Sequence, residues 1–342
     1  MGQSAQQGKF DREQMSPKVS VIIPTYNYAQ YLPEAIESVL TQDFGDFELI
    51  IADDASSDNT TQLCEAYAAR DSRIRFFGHE TNKGMVENWN WCLSKVRGDY
   101  VKPLLGDDAL NHDSVLRLMV EELENHPDVS LITSARLLID EKSEPIGVWG
   151  PLGIGNKKIA GPELTRRCLA RRSNLIGEPS SVMFRAEQSK RGFDPFFKQL
   201  VDLDMWLYLL KSGSLIYLGS PLCCFRRHPL QQTEVNKVNA AGEMESLRLY
   251  ERYYVEGESK FDTFYRLYDV KKSNDESVKQ HISALRDKLS AADYVMCYIR
   301  YKISKPFSNL RHTILKSVFW NSVLRYCQAL WMSVSKRRSP LL

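Results

Sequence analysis

The chain has 342 residues, enough for one large α/β domain with an appendage or for two small domains, and its 43% hydrophobic and 26% charged residues suit a protein that buries a core. A formal net charge of only +2 argues against a nucleic-acid partner. No apolar run is long enough to span a bilayer.

Met1 to Ser16 is polar and lacks the apolar stretch of a signal peptide, so it reads as a disordered arm. From Pro17 strands and helices alternate. Val19-Ser-Val-Ile-Ile23 is a nearly continuous apolar run, typical of a strand buried on both faces, and Tyr31 to Leu40 has helical spacing. Phe47 to Ala52 is a second strand. Thr60 to Arg70 is a helix that Asp58 or Asn59 can cap. A third strand, Ile74 to Phe77, precedes the turn Asn82-Lys-Gly84 and a helix to about Val96, and Tyr100 to Leu105 is a fourth strand. This rhythm predicts a parallel sheet with crossover helices.

Beyond Asp108 the rhythm changes. His112 to Asn125 is an amphipathic helix, Val129 to Ile139 a strand, and Asp140 to Arg172 a loop-rich basic stretch. Strands are expected at Ser181 to Arg185 and Leu215 to Leu218, around a helix at Leu203 to Lys211, and helix is expected from Asn239 almost to the end. The seven cysteines show no metal-ligand spacing and read as buried thiols in a reducing cytoplasm. Trp89, Trp91 and Trp206 fall on helices and read as core packing.

Open parallel sheets bind ligands beyond the carboxyl ends of their strands. The first strand ends in Pro24-Thr25-Tyr26-Asn27, the second in Asp53-Asp-Ala-Ser-Ser-Asp58, the fourth in Gly106-Asp107-Asp108. One such cluster is an ordinary turn. Three at successive strand ends point to a site. Neither Gly-x-Gly-x-x-Gly nor a Walker lysine follows the first strand, so a phosphate ligand needs another counter-charge. Paired carboxylates supply it by holding Mn2+ or Mg2+ against the phosphates.

The run Val19-Ser-Val-Ile-Ile-Pro-Thr-Tyr-Asn27, Phe47-Glu-Leu-Ile-Ile-Ala-Asp-Asp-Ala-Ser-Ser-Asp-Asn-Thr60, Asn82-Lys-Gly84, Gly106-Asp-Asp108, Asp202-Leu-Asp-Met-Trp206 and Arg226-Arg-His228 resembles, in order and spacing, the family 2 glycosyltransferases. These are inverting enzymes of the GT-A fold. The resemblance implies a GT-A catalytic domain over 17–235, with a nucleotide-binding half at 17–110 and an acceptor half at 111–235. A helical region would follow at 236–342. It also implies a nucleotide-sugar donor, UDP-linked by default, and a glycan or lipid-linked glycan acceptor. Pro24, Thr25 and Tyr26 become donor contacts, Asp54 the nucleobase carboxylate, Asp108 the metal ligand and Asp107 the ribose contact with a share in the metal. Arg226 or Arg227, with His228, falls where a loop could close over the diphosphate. Asp202 becomes the general base, with Asp204 its competitor. Two positions depart from the family pattern. Leu105 and Val201 stand where an acid is usual, and the apolar Val201 would raise the pKa of Asp202. A rival reading keeps the fold as a non-catalytic sugar-nucleotide-binding or assembly subunit. The four aspartates Asp54, Asp107, Asp108 and Asp202 argue against it.

In the tail, residues 313–336 carry Leu315, Val318, Phe319, Tyr326, Leu330 and Trp331 on one broad apolar face, followed by Lys336-Arg-Arg338. Such a helix either packs on protein or lies on an anionic membrane surface, which would hold the enzyme on the inner face of the cell membrane.

Overall fold

The computed structural model describes residues 16–229, 231 and 242–253. The arm 1–15 and the tail, including 313–336, lie outside them.

Ten strands form one mixed sheet: β1 (Val19–Thr25), β2 (Phe47–Asp53), β3 (Ile74–Gly78), β4 (Tyr100–Pro103), β5 (Ala109–Leu110), β6 (Val129–Ile139), β7 (Pro145–Trp149), β8 (Lys157–Ile159), β9 (Val182–Arg185) and β10 (Ser214–Arg226). The order is β3-β2-β1-β4-β9-β6-β10-β5, with β7 paired to β6 and β8 to β10. The helices are α1 (Leu32–Leu40), α2 (Thr60–Arg70), α3 (Met85–Ser94), α4 (Val115–Asn125), α5 (Gly161–Arg171), α6 (Val201–Leu209) and α7 (Gly242–Tyr253).

The apolar runs behave as their composition requires. All seven residues of β1 and of β2 are buried. Val19, Val21 and Ile23 pack with Leu32, Ala35, Ile36 and Val39 of α1 and with Val115, Leu116 and Met119 of α4 in one continuous core. Leu32, Ile36 and Val39 sit on one helical face by their spacing, which is why α1 covers the sheet. On α3, Asn88 Nδ2 donates to the Ala52 carbonyl at 2.9 Å and ties that helix to β2.

The nucleotide half, β1 to β4, is parallel as the alternation predicts. In the second half, where the rhythm changes, the sheet becomes mixed. β9 runs antiparallel between β4 and β6, and β5, β7 and β8 are also antiparallel. The stretch 140–172, read as loop, contains β7, β8 and α5. Its glycines and charges mask strands that are largely exposed. The strand read as Leu215 to Leu218 is β10 and continues to Arg226. Gly219-Ser-Pro221 looks like a turn, yet register shifts at Leu218/Pro221 and Pro221/Cys223 absorb it as bulges. The helix expected at Leu203 begins two residues earlier, so Asp202 lies inside its first turn. Of the C-terminal helix expected from Asn239, α7 falls among the described residues. No described helix is long and apolar enough to cross a membrane, and the five described cysteines are unpaired, four of them buried.

Candidate active site

The carboxyl ends of β1, β2 and β4 open onto a cleft of about 290 Å³ lined by Pro24, Thr25, Tyr26, Tyr28, Asp54, Asn82, Gly84, Met85, Asn88, Trp89, Leu105 and Asp107. The loops around it are stitched together by short polar side chains. Asn27 takes a left-handed conformation (φ 55°), its N–H donates to Ser56 Oγ at 2.8 Å, and its own Oδ1 accepts from the Ser57 N–H at 2.8 Å. Asp58 accepts from the Thr60 N–H at 3.0 Å and so caps α2, while Asn59 makes no capping bond. Asp53 accepts from the Ser56 N–H and hydroxyl and from Thr61 Oγ1, which holds the turn.

Asp54 is buried. Its two oxygens accept the N–H groups of Lys83 (2.7 Å) and Gly84 (2.9 Å), which fixes the 82–84 turn against β2 on the cleft wall. Thr25 Oγ1 is buried and has no hydrogen-bond partner among the described residues. A buried hydroxyl without a partner is costly, so one on a cleft wall marks a place where a ligand can complete the bonding. Tyr26 is 47% exposed at the rim. Trp89 has a double position: it is nearly buried against Phe193, and it also lines the cleft.

The two adjacent acids diverge. Asp107 faces the cleft, and its Oδ2 lies 3.0 Å from His228 Nε2. Burial and the Asp107 and Asp108 carboxylates push the neighbouring Tyr28 phenol up. Asp108 turns beneath the cleft, where Oδ2 accepts from Ser180 Oγ (2.5 Å) and Oδ1 from the Arg226 N–H (3.0 Å). Burial, and then the charge of Asp107, holds the Asp108 carboxyl well above the usual range. Lys102 closes this lower layer. It is fully buried, its Nζ donates to the Pro103 and Ser180 carbonyls, and burial pushes it down to about 8.

Arg226 does not reach the cleft. Its guanidinium donates to the Asp107 carbonyl (2.8 Å), the Asp140 carbonyl (3.0 Å), Ser143 Oγ (2.9 Å) and Glu34 (2.5 Å), and it stacks on Tyr31. It is a structural brace, because the extended β10 carries it into the sheet instead of into a loop. Arg227 beside it is exposed. His228 comes two residues past the strand end, buried against Tyr31 and Tyr28.

Asp202 stands at the start of α6. Its Oδ2 accepts from Asn174 Nδ2 at 2.9 Å and its Oδ1 from the Leu203 N–H at 2.7 Å. Burial pushes its carboxyl up to about 7; the Leu203 N–H pulls it back and the charge of Glu178 raises it again. Asp204, two residues on, is fully buried. It is bound by Arg191 (2.6 Å), Arg252 (2.8 Å) and the Tyr253 hydroxyl (2.9 Å), which ties α6 to α7.

Sequence reasoning missed the segment that joins these layers. Asn174 holds Asp202, Ser180 holds Asp108, and Glu178 pairs with the buried Arg136. Gly177 between them has φ 137°, and a Cβ there would collide with Arg136 Nη2 and Ser181 Oγ, so glycine is required. The signal was Gly177-Glu-Pro-Ser180, a turn motif between the loop-rich stretch that ends at Arg172 and the strand expected from Ser181.

A mixed α/β sheet with a cleft at the ends of its first strands, walled by Asp54 and Thr25 and with adjacent carboxylates at its base, is an arrangement of the GT-A type. Residues 20–172 match the family model of Glycosyl transferase family 2. The Bacillus subtilis protein EpsE, named for a glycosyltransferase, is 32% identical over 200 residues, spanning 58% of this chain and 68% of EpsE. TuaG of the same organism, named for a glycosyltransferase of teichuronic acid biosynthesis, is 31% identical over 201 residues, spanning 59% of this chain and 75% of TuaG. Among solved structures, S. aureus TarS 1–349 in complex with UDP-GlcNAc has a TM-score of 0.55 at 17% identity, covering 86% of this chain and 93% of that one. The Pyrobaculum calidifontis mannosyltransferase PcManGT with GDP-Man and Mn2+ has a TM-score of 0.53 at 14% identity, covering 95% and 89%. At these identities the structures establish the fold. The chain belongs to the family 2 glycosyltransferases.

Proposed function

We propose that the protein transfers a sugar, with inversion, from a UDP-linked donor to a hydroxyl of a glycan or lipid-linked glycan in polysaccharide biosynthesis. The observation that carries this reading is the cleft wall, where the partnerless Thr25 hydroxyl and Asp107, held from behind by His228, face one space bounded by Asp54. Its support from outside the chain is the nucleotide sugars named in the two structural neighbours.

Pro24, Thr25, Tyr26 and Asp54 take the nucleoside in this reading. The division between the two acids is reversed from the sequence reading: Asp107, which faces the cleft, is the better metal ligand, and Asp108 supports it from below. Among the described residues no three His, Cys, Asp or Glu side chains form a closed metal cage. An open pair, Asp107 with His228, fits a Mn2+ or Mg2+ ion that takes its remaining ligands from phosphate and water. Bound there, such a cation stabilises the negative charge of the departing nucleoside diphosphate. The exposed Arg227 adds a positive charge in place of Arg226. Asp202 accepts the proton of the acceptor hydroxyl as that oxygen attacks, and its raised pKa suits a base working near neutrality. The apolar, cationic tail segment 313–338 is our proposed attachment to an anionic membrane face.

Calorimetric titration of UDP with and without Mn2+ tests the donor side. Mn2+ should tighten UDP binding at least tenfold in the native protein and have little effect in Asp107→Ala. UDP binding indifferent to Mn2+ and to this substitution overturns the assignment.

A further inference from the structure

The hairpin of β6 and β7 presents an unexplained indole. Every residue of β7 is exposed, and Trp149 is 54% exposed despite its size. Large aromatic rings are seldom left in water without a use.

The register fixes where this ring stands. Trp149 is the antiparallel partner of Arg136, so the two side chains share one face of the sheet with their Cβ atoms about 5 Å apart. Arg136 is buried and pairs with Glu178. Glu178 lies in the segment whose Asn174 bonds Asp202 and whose Ser180 bonds Asp108. Through Arg136 and Glu178, Trp149 is linked to the segment that holds both carboxylates. Of the other exposed apolar residues nearby, Val148 pairs with Leu137 and points to the opposite face, Ile146 falls at a register shift, and Ile154 lies past the strand. Gly147, the next position on the face of Trp149, has no side chain to cover it. The ring is thus the one aromatic plate that β7 presents. A pyranose has matching chemistry: one face of axial C–H groups that packs on an aromatic ring, and a rim of hydroxyls for a carboxylate such as Glu178.

We propose that Trp149 is the stacking platform of the acceptor subsite, on which a pyranose ring of the acceptor glycan lies with its hydroxyl directed to Asp202. The proposal rests on the transferase reading above.

The test uses the full chain, a UDP-sugar donor that it hydrolyses, and p-nitrophenyl β-glucoside, β-galactoside and N-acetyl-β-glucosaminide as acceptor probes. The readout is the ratio of transfer to donor hydrolysis, hydrolysis being the internal reference because it needs no acceptor. Trp149→Ala should lower that ratio at least tenfold through a higher acceptor KM, Trp149→Phe should restore most of it, and Val148→Ser should leave it unchanged. A ratio in Trp149→Ala equal to the native one overturns the proposal, as does a panel in which no glycoside is bound or used. Trp149→Ala and Val148→Ser both losing affinity for anionic phospholipid vesicles, with the ratio intact, would assign the hairpin to a membrane instead. Absence of hydrolysis with every donor tells against the transferase reading itself.

Discussion

Asp202 and Asp204 are two residues apart on one helix, and their surroundings give them opposite tasks. Asp204 is saturated by two guanidinium groups and a phenol, whereas Asp202 keeps only an amide side chain and one N–H. Removing one partner of a buried ion pair costs about 3–5 kcal/mol. Asp204→Ala should therefore lower the unfolding free energy by about that amount, read by urea denaturation. Asp202→Asn should instead cut transfer by about a hundredfold or more while UDP still binds, the usual scale of general-base catalysis. The raised pKa fixes the pH behaviour. Transfer should climb with pH and level off above about 7, as the base becomes ionised. Stability runs the other way. The folded state holds the Asp202 proton more tightly than the unfolded chain, so Asp202 costs stability progressively as pH rises from the ordinary carboxylate range through about 7. Thermal melts at pH 8 should accordingly find Asp202→Asn as stable as the native protein or more so; a clear loss would contradict the buried-carboxyl account. Thr25 offers a parallel case. Its hydroxyl is buried without a partner, so Thr25→Val should leave the melting temperature unchanged or raise it, yet weaken UDP binding about tenfold, the size of one lost hydrogen bond. A fall in stability with donor binding intact would make that hydroxyl structural.

At the scale of elements, the turn between β2 and α2 shows both what sequence reveals and what it hides. Asp53 to Asp58 is legible as a polar strand end because its residue types serve turns and caps. That Ala55 adopts φ 59° is not, since alanine gives no warning of a left-handed conformation. Such a conformation costs a non-glycine residue about 1–2 kcal/mol, and glycine gives back about half of that through its freer unfolded chain. Ala55→Gly should thus stabilise the protein by about 0.5–1 kcal/mol in denaturant titrations; destabilisation would mean that the Ala55 methyl packs usefully. β1, β2, α1 and α2 were readable because buried parallel strands are continuous apolar runs and their covering helices are amphipathic. β10 was not, because Gly219 and Pro221 carry turn signals that long-range pairing to β6 overrides. That misreading also misplaced Arg226. A guanidinium expected in a loop over the diphosphate lies in the sheet, bracing Asp107 and the 140–143 turn against Glu34.

For the whole molecule, the nucleotide half was visible in the order of its motifs, since Pro24-Thr-Tyr-Asn27, Asp53 to Asp58 and Gly106-Asp-Asp108 follow strands that the alternation marks out. In the acceptor half the elements were legible, β6 over Val129–Ile139 and β9 within a residue, but their pairing was not. β9 enters the sheet antiparallel between β4 and β6, and strand direction there depends on pairing that local sequence does not encode. Hence the 174–181 segment, which links Asp202, Asp108 and Arg136, emerged only from the fold. The central claim joins the two halves: one cleft binds a nucleotide sugar, and Asp107 with His228 engages its diphosphate through a cation. The most direct test is release of nucleoside diphosphate by the purified protein from a panel of UDP- and GDP-sugars, with Mn2+ and then with excess EDTA. The account predicts UDP release from at least one UDP-sugar in Mn2+, falling to background in EDTA and in Asp107→Ala. Release at the same rate in EDTA, or from Asp107→Ala, or from none of the donors by the native protein, would contradict it.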